Sequence, residues 1–390
     1  MVSFLDFGFT EEQQLFRASV VEFAKRELTP EKVKNWDRSA SFSPELFEKL
    51  AQAGLAGIAL PQEYGGQGAD SVTVGIAIEE LAKFDFNVAN LIIIDNVLSA
   101  GILANYGREE LKQAVLPQIT SGKKHMGIAL TEPHTGSDAA NIKTIAKKED
   151  GFYVLNGEKA SVSMVGLASY FVLFAKTAPE LGSKGISAFL LPMDAEGVQT
   201  YTFDDFGYRP LKRGGISLKN VKLPFQNLIG QENEGFKIVM KQFDFSKTLL
   251  SLACIGTALA ALDDALSYAK QREAFGRPIL KFEAVQFRLV EHYTLLEAAR
   301  LLCYKTLWLR DKGLPYTKEA AMCKWWIPRL CVEAIHDAII TIGNPAYSKD
   351  YPQEKRLRDV MGIEIGDGTA DIQKIVVARE AFGREFVPYK

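Results

Sequence analysis

Cysteine and histidine are scarce in this chain of 390 residues, with four of each. Cys254, Cys303, Cys323 and Cys331 lie in apolar, helix-like surroundings without C-x-x-C spacing. They read as reduced core residues, which excludes a disulfide scaffold. His125, His134, His292 and His336 form neither H-x-x-x-H nor H-E-x-x-H, so no metal site is expected. The chain also lacks a G-x-S-x-G elbow, a G-x-G-x-x-G after a strand and a G-x-x-x-x-G-K-[ST] loop. A hydrolase triad therefore has no support, and any nucleotide is held by something other than a Rossmann or P-loop device. Neither sign of charge dominates: 46 basic against 48 acidic residues leave a net charge of −2. That removes the basic field a nucleic-acid binder needs. Long hydrophobic runs are absent too. Leu91-Ile92-Ile93-Ile94 is too short to span a bilayer, and Met1 to Asp6 lacks the basic region of a secretion signal, so a cytoplasmic location without membrane insertion is expected.

What is present is a large apolar fraction. With 47% hydrophobic and 24% charged residues, the chain can bury a sizeable core and should divide into two or three domains. Thr10-Glu11-Glu12-Gln13 has the form of a capping box, and Phe16, Val20, Phe23, Ala24 and Leu28 follow at helical spacing. A Gly-rich break at Tyr64 to Gly68 precedes further helical stretches over Val72 to Phe84 and from Val88 to about Ala104. Near residue 122 the texture changes to short β-branched and aromatic runs with turn signals between them. These include Gly151 to Leu155 before Asn156-Gly157, Tyr170 to Phe174, Ile186 to Leu191 and Gly197 to Phe203. Beyond Glu234 helical periodicity returns, for example over Leu249 to Gln271, Phe282 to Lys312, Lys318 to Ile342 and Ala370 to Phe382. The expected class is α+β multidomain: a helical domain over 1–121, a β domain over 122–231 and a second helical domain over 232–390.

Two segments carry chemistry. Leu130-Thr131-Glu132-Pro133-His134-Thr135-Gly136-Ser137-Asp138 gathers hydroxyls, a glycine and backbone donors after an apolar strand, which suits an oxygen-rich ligand such as a phosphate, though an ordinary Ser/Thr turn reads the same way. Asp367, between Gly366 and Gly368 and just before a helical run, is a carboxylate on a loop that can project into a cavity as a general base, though helix-capping acids share this pattern.

Several separated motifs, in order, give the chain a family resemblance. Thr131-Glu132-Pro133 with Gly136-Ser137-Asp138 resembles the T-E-P-x-x-G-S-D signature of acyl-CoA dehydrogenases. Arg272-Glu273-Ala274-Phe275-Gly276-Arg277-Pro278 resembles their R-x-x-F-G-x-P/L segment. Tyr347 to Pro352 with Arg358-Asp359 resembles their G-Y-x-x-x-Y-P…R-D stretch, and Asp367-Gly368-Thr369 stands where they carry the base in E-G-T. The likeness covers essentially the whole chain, including Pro61 to Gly66. It implies a helical domain, a barrel-like middle β domain and a C-terminal four-helix bundle, binding FAD and a CoA thioester as a homotetramer and passing electrons to electron-transferring flavoprotein. Residues implied at the FAD are Leu130, Thr131, Gly136, Ser137, Ser161, Ser163, Gly343 and Thr369, with Arg272 and Phe275 reaching it from a neighbouring subunit. Ser137, Asp244, Lys247, Gly368 and Arg379 are implied for the CoA substrate. In the family's chemistry a carboxylate removes the Cα proton, hydrogen bonds stabilise the enolate character that develops on the thioester, and a hydride leaves Cβ for flavin N5.

The chain departs from the pattern in ways that bear on the substrate. Asp367 replaces the usual Glu and is shorter by about 1.5 Å. Ser246 stands at the alternative base position, and Lys247 replaces an Arg. Ser161, Gly366, Ile340 and Asn344-Pro345 replace an aromatic, a Tyr, a Gln and a Gly. Asp95 interrupts the apolar run Asn90 to Leu98, in a helix the resemblance places at the acyl end. It reads either as a locally hydrogen-bonded residue or, if buried without a positive partner, as a second base. A shorter base, a relieved pocket and a carboxylate at its far wall together suggest a compact cyclic acyl group such as cyclohexanecarboxyl-CoA. With Asp95 as base, 1,4-dehydrogenation of the ring 1-ene would give a diene. Short-chain dehydrogenation, enoyl-CoA reduction and a non-catalytic binding module remain the alternatives.

Overall fold

A computed structural model describes residues 8–387, so the opening segment read above for a secretion signal lies outside the described residues. The capping box forms: the Gln13 N–H donates to the Thr10 hydroxyl and the Thr10 N–H to Gln13 Oε1, both at 3.2 Å. This starts α1 (Glu11–Glu27), which buries Val20, Phe23 and Ala24. There follow α2 (Pro30–Ser39), α3 (Pro44–Gln52), α4 (Ser71–Ala82), α5 (Phe86–Ile92), α6 (Gly101–Tyr106) and α7 (Glu109–Thr120). Between α5 and α6 the chain winds as a π-helix over Ile93–Ala100, so the helix expected from Val88 is one rod in three pieces. By length and composition this 21-residue rod could cross a membrane, contrary to the reading of its apolar run as too short, but 94% of its apolar window is buried inside the protein. Its hydrophobicity is that of a core helix.

The middle region forms β1 (Met126–Ala129), β2 (Ile145–Glu149), β3 (Phe152–Val162), β4 (Tyr170–Lys176), β5 (Ile186–Pro192), β6 (Val198–Thr202), β7 (Gly214–Pro224) and β8 (Leu228–Ile229). Their order is β6-β7-β3-β2-β4-β5-β8, with β1 parallel to β4. The end strands do not pair, so the expected barrel-like domain is an open sheet. Its two halves are joined through β2, which meets β4 at the single pair Ile145↔Lys176. Asn156-Gly157, read as a hairpin turn, lies instead within the long strand β3, at a bulge against β7. Tertiary packing overrides the turn signal, because a Cβ on Gly157 would sit 2.6 Å from the Thr144 hydroxyl of the adjoining chain.

The third region begins with α8 (Gly235–Gln271), a hairpin of β9 (Glu273–Ala274) and β10 (Arg277–Pro278), and α9 (Glu283–Asp311). It continues through α10 (Thr317–Ile342), α11 (Gln353–Ile365) and α12 (Ala370–Phe382). α10 packs on α8, α9, α11 and α12 and so forms the centre of the bundle. α11 and α12 are short and flank the Gly366 to Thr369 loop, which therefore opens beside α10.

Candidate functional site

The loop that carries Asp367 is set by backbone chemistry. Asp367 has φ +54° and Gly368 φ +85°, two successive left-handed residues between the end of α11 and Thr369, the N-cap of α12. Among residues with a side chain, Asp and Asn tolerate that region best. Glu is not in that class, which gives a local reason for the shorter acid at this position. Two side chains hold the loop carbonyls. Gln373 Nε2 donates to Asp367 O at 3.2 Å and to Gly368 O at 3.4 Å. Lys324 Nζ donates to Ile363 O at 2.6 Å and to Gly368 O at 3.1 Å. Burial pushes the Asp367 carboxyl above the ordinary aspartate value, while the charges of Lys324 and Lys247 pull it back. A carboxylate tuned in this way suits a general base.

The loop after β1 is fixed from beneath by a buried ion pair. Lys159 is fully buried and donates to Leu130 O at 3.0 Å and to Glu132 Oε1 at 2.8 Å. Glu132 also accepts from the Lys143 N–H at 2.6 Å, from the Thr144 N–H at 2.9 Å and from the Thr144 hydroxyl. Burial favours a neutral Glu132, but Lys159 and these donors outweigh it and hold the carboxyl below its usual value. The Ala160 N–H donates to Thr131 O at 2.9 Å, which ties the end of β3 to this loop. Thr131 is thereby brought beside the end of β3, where Ser161 has φ +55°. The Thr135 hydroxyl is buried with no hydrogen-bond partner among the described residues, and a Cβ on Gly136 would meet nothing within 4 Å. Ser137 is exposed beside them. An unpaired buried donor, an open glycine and free hydroxyls at one loop fit a polar flavin edge and pyrophosphate.

Replacing Lys159 by Met should strand Glu132, slacken this loop and lower flavin content at least tenfold. The ratio of flavin absorbance to protein in purified K159M measures this, and full occupancy would show that the ion pair does not organise the site.

Other expected residues sit apart from this cluster. Arg272 ends α8 and Phe275 tips the β9–β10 turn, 94% exposed, with no hydrogen bond from either to the Thr131 loop among the described residues. Gly343 ends α10 at φ +76° on the same exposed periphery. Asp244 is engaged internally: Oδ1 accepts from Lys247 Nζ at 3.2 Å and Oδ2 from the Thr317 hydroxyl at 2.7 Å. Arg379 lies on α12 and pairs with Glu380 at 2.9 Å.

The reading of Asp95 as an unpartnered second base is corrected by the structure. Its Oδ2 lies 2.6 Å from His125 Nδ1 and its Oδ1 accepts the Met126 N–H at 2.8 Å. Both oxygens are committed to joining the π-helix to β1, a bond between distant segments that the local pattern did not show.

Two residues escaped the sequence reading. Lys324 occupies the buried stripe of α10 with Ala320, Ala321, Ile327 and Cys331, and a lone lysine on an apolar stripe is itself a signal. Tyr208 carried none. It has φ +57°, stacks on Phe86 at 5.5 Å, and its hydroxyl is buried with no partner among the described residues. A Cβ on Gly362 of α11 would lie 2.6 Å from its ring, so only glycine admits the tyrosine there. Asp367 is among the charges that raise the Tyr208 phenol well above its usual value, after burial, Cys254 and Asp359.

Comparison with known proteins agrees with this geometry. Models of the N-terminal, middle and C-terminal domains of acyl-CoA dehydrogenases match residues 10–123, 127–221 and 233–382. The short-chain-specific acyl-CoA dehydrogenase of Clostridium acetobutylicum is 34% identical over 379 residues, covering 97% of this chain and 100% of its own. The caffeyl-CoA reductase-Etf complex subunit CarC of Acetobacterium woodii is 35% identical over 371 residues, covering 95% and 98%. The structure of butyryl-CoA dehydrogenase from Megasphaera elsdenii superposes with a TM-score of 0.92 at 33% identity, covering 96% and 99%. With three matched domains in order, and a loop and a carboxylate that fit the flavin and the chemistry, the chain belongs to the acyl-CoA dehydrogenase family, FAD-dependent oxidoreductases acting on the CH–CH bond of a CoA thioester.

Proposed function

We propose that this protein dehydrogenates a short or compact acyl-CoA at Cα–Cβ with Asp367 as the base. The observation that carries the reading is the half-buried Asp367 carboxylate on its left-handed loop beside Lys324. Asp367 takes the Cα proton, and its backbone N–H donates to the thioester oxygen as enolate character develops. FAD, when bound, supplies the two-electron acceptor for the β-hydrogen. Thr131, Gly136, Ser137, Ser163 and Thr369 hold the flavin from this subunit, and Ser137, Lys247, Gly368 and Arg379 orient the CoA thioester, while Asp244 is engaged by Lys247 and Thr317.

A short acyl chain is supported by the short-chain and butyryl-CoA relatives. A cyclic acyl group rests on the shorter base and on Gly366 beside it, and the diene variant loses support because Asp95 is engaged on both oxygens. The reverse reaction is supported by similarity to relatives named as reductases, among them a caffeyl-CoA reductase subunit and an acryloyl-CoA reductase. The name of the caffeyl-CoA relative also supports electron-transferring flavoprotein as the electron partner. A homotetramer is supported by the apolar surface around the outlying cofactor residues: Phe275, Phe287, Val290, Ile340 and Tyr347 are all exposed. Covering them with a second copy would carry Arg272, Phe275 and Gly343 to a neighbour's flavin.

Anaerobic titration with butyryl-CoA, cyclohexanecarboxyl-CoA, cyclohex-1-enecarboxyl-CoA and octanoyl-CoA, following the oxidised flavin band and the products, tests the reading. Full bleaching by butyryl-CoA at the lowest concentration is the expected result. Bleaching by the saturated ring thioester alone would move the substrate to the cyclic class, and preference for octanoyl-CoA would overturn both.

A further inference from the structure

We infer that Lys324 is a positioning residue for the reaction: its ammonium clamps the carbonyls of Ile363 and Gly368 on either side of the Gly366-Asp367 turn and brings a positive charge to the loop that carries the Asp367 carboxylate. The inference rests on Asp367 being the base.

Three observations converge on this role. The first is geometric. Ile363 lies in the last turn of α11 and Gly368 immediately follows the acid, so bonds of 2.6 and 3.1 Å from one nitrogen span the turn that sets the direction of the carboxylate. Asp367 has a left-handed backbone, which persists only where its surroundings over-determine it. Gln373 grips the carbonyls of Asp367 and Gly368 from the α12 side, and Lys324 closes the α11 side.

The second is the choice of group. Lys324 is 1% exposed, and an ammonium removed from water costs several kcal/mol unless compensated. Two carbonyls could be held by a neutral amide without that cost. No carboxylate lies within 4 Å of Lys324 Nζ among the described residues, so the charge is not spent on a contact ion pair. Asp367 is the foremost of the charges that favour the ammonium. A charge retained at such cost has its use at the base.

The third is electrostatic. Burial drives the Lys324 ammonium down to about 8, and the same low polarity drives Asp367 up. The other charged and titratable groups on this cluster are Lys247 and Cys254 from α8, Glu364 and Asp359 from α11, and Tyr208 and Arg213 from the loop before β7. Lys247 is paired with Asp244 and Arg213 with Asp205, so among the described residues Lys324 is the cation of this cluster outside an ion pair. Its charge keeps Asp367 ionised before substrate arrives, and the clamp keeps the carboxylate oriented.

The two roles separate in three variants. Lys324→Met removes clamp and charge, Lys324→Gln removes the charge and keeps donors, and Lys324→Arg keeps the charge. The measurement is kcat/KM against pH, normalised to bound flavin so that any unfolded fraction does not enter. The acid limb, where Asp367 takes up a proton, is expected to move to higher pH by about one unit or more in K324M and K324Q and to stay in place in K324R, since an opposite charge at close range lowers a carboxylate by about 1–3 units. At pH 6 flavin-normalised kcat/KM should fall at least tenfold in K324M while KM changes less than threefold. An unmoved acid limb in both neutral variants, with only a lower melting temperature, would overturn the proposal and leave Lys324 a structural lysine. Activity retained in D367N would instead overturn the assignment of the base on which the proposal rests.

Discussion

Asp367→Asn should lower kcat/KM by about 10²–10⁴-fold with flavin content unchanged, the range a positioned general base contributes. Asn is the informative substitution because it keeps the shape of Asp and tolerates the φ of +54° that this residue adopts, whereas Ala would add backbone strain. The pH dependence has a definite sign. Burial raises the Asp367 carboxyl above the unfolded aspartate value of about 3.9, and Lys324 and Lys247 only partly offset it. Wild-type kcat/KM should therefore fall as pH drops through a value above the ordinary aspartate range, and this limb should vanish from the residual activity of D367N. Stability runs the other way. A group whose folded pKa is raised favours the native state while protonated and loses that contribution as pH rises through the folded value. At pH 7 the neutral Asn variant should melt no lower than wild type. Activity of D367N within threefold of wild type would place the base elsewhere.

Lys355→Met should cost about 3–5 kcal/mol of stability, the largest structural effect expected of one substitution here. Lys355 Nζ lies 2.8 Å from both Asp85 Oδ2 and Asp359 Oδ2, and the two carboxylates are 1% and 0% exposed. Asp359 also accepts the Asn87 amide at 3.0 Å and the Tyr208 N–H at 2.9 Å. The cluster thus joins α5, α11 and the loop before β7, the meeting point of all three regions. Methionine fills the volume of lysine and leaves two buried carboxylates without a counter-charge. Burial pushes the ammonium towards neutrality, but Asp359 and Asp85 outweigh it and raise its pKa overall. A raised lysine stabilises the fold fully below its unfolded value of about 10.4, and the contribution is lost only as pH rises through the folded value, so the gap between wild type and K355M should persist from about pH 6 to 9. Urea unfolding of both proteins at several pH values measures it. Adding Asp85→Asn and Asp359→Asn to K355M should recover much of the loss, and a loss below about 1 kcal/mol in K355M itself would show that the network does not hold the regions together.

The helix, β, helix order was legible because its causes are local. The Thr10–Gln13 capping box, the apolar period of α8 to α10 and the alternation of β4 and β5 each lie within a short window. Asp367 was legible for the same reason: glycines on both sides and a helix after it mark a loop acid without knowledge of what it faces. The Asn156-Gly157 pair misled because a turn signal describes what a dipeptide permits, and the strand pairing of β3 with β7 made another use of it. Asp95 misled because its partners, His125 and the Met126 N–H, are about thirty residues away in sequence.

The amino-acid sequence by itself determined the order of elements, the loop that carries the acid and the hydroxyl-rich turn after β1, because capping, periodicity and glycine spacing act over a few residues. Tertiary structure alone decided that Lys324 sits under Gly368, that Tyr208 packs over Gly362 and that Lys355 bridges Asp85 and Asp359. Such contacts close loops of tens to hundreds of residues, and only the packed core sets which distant groups share a place without water.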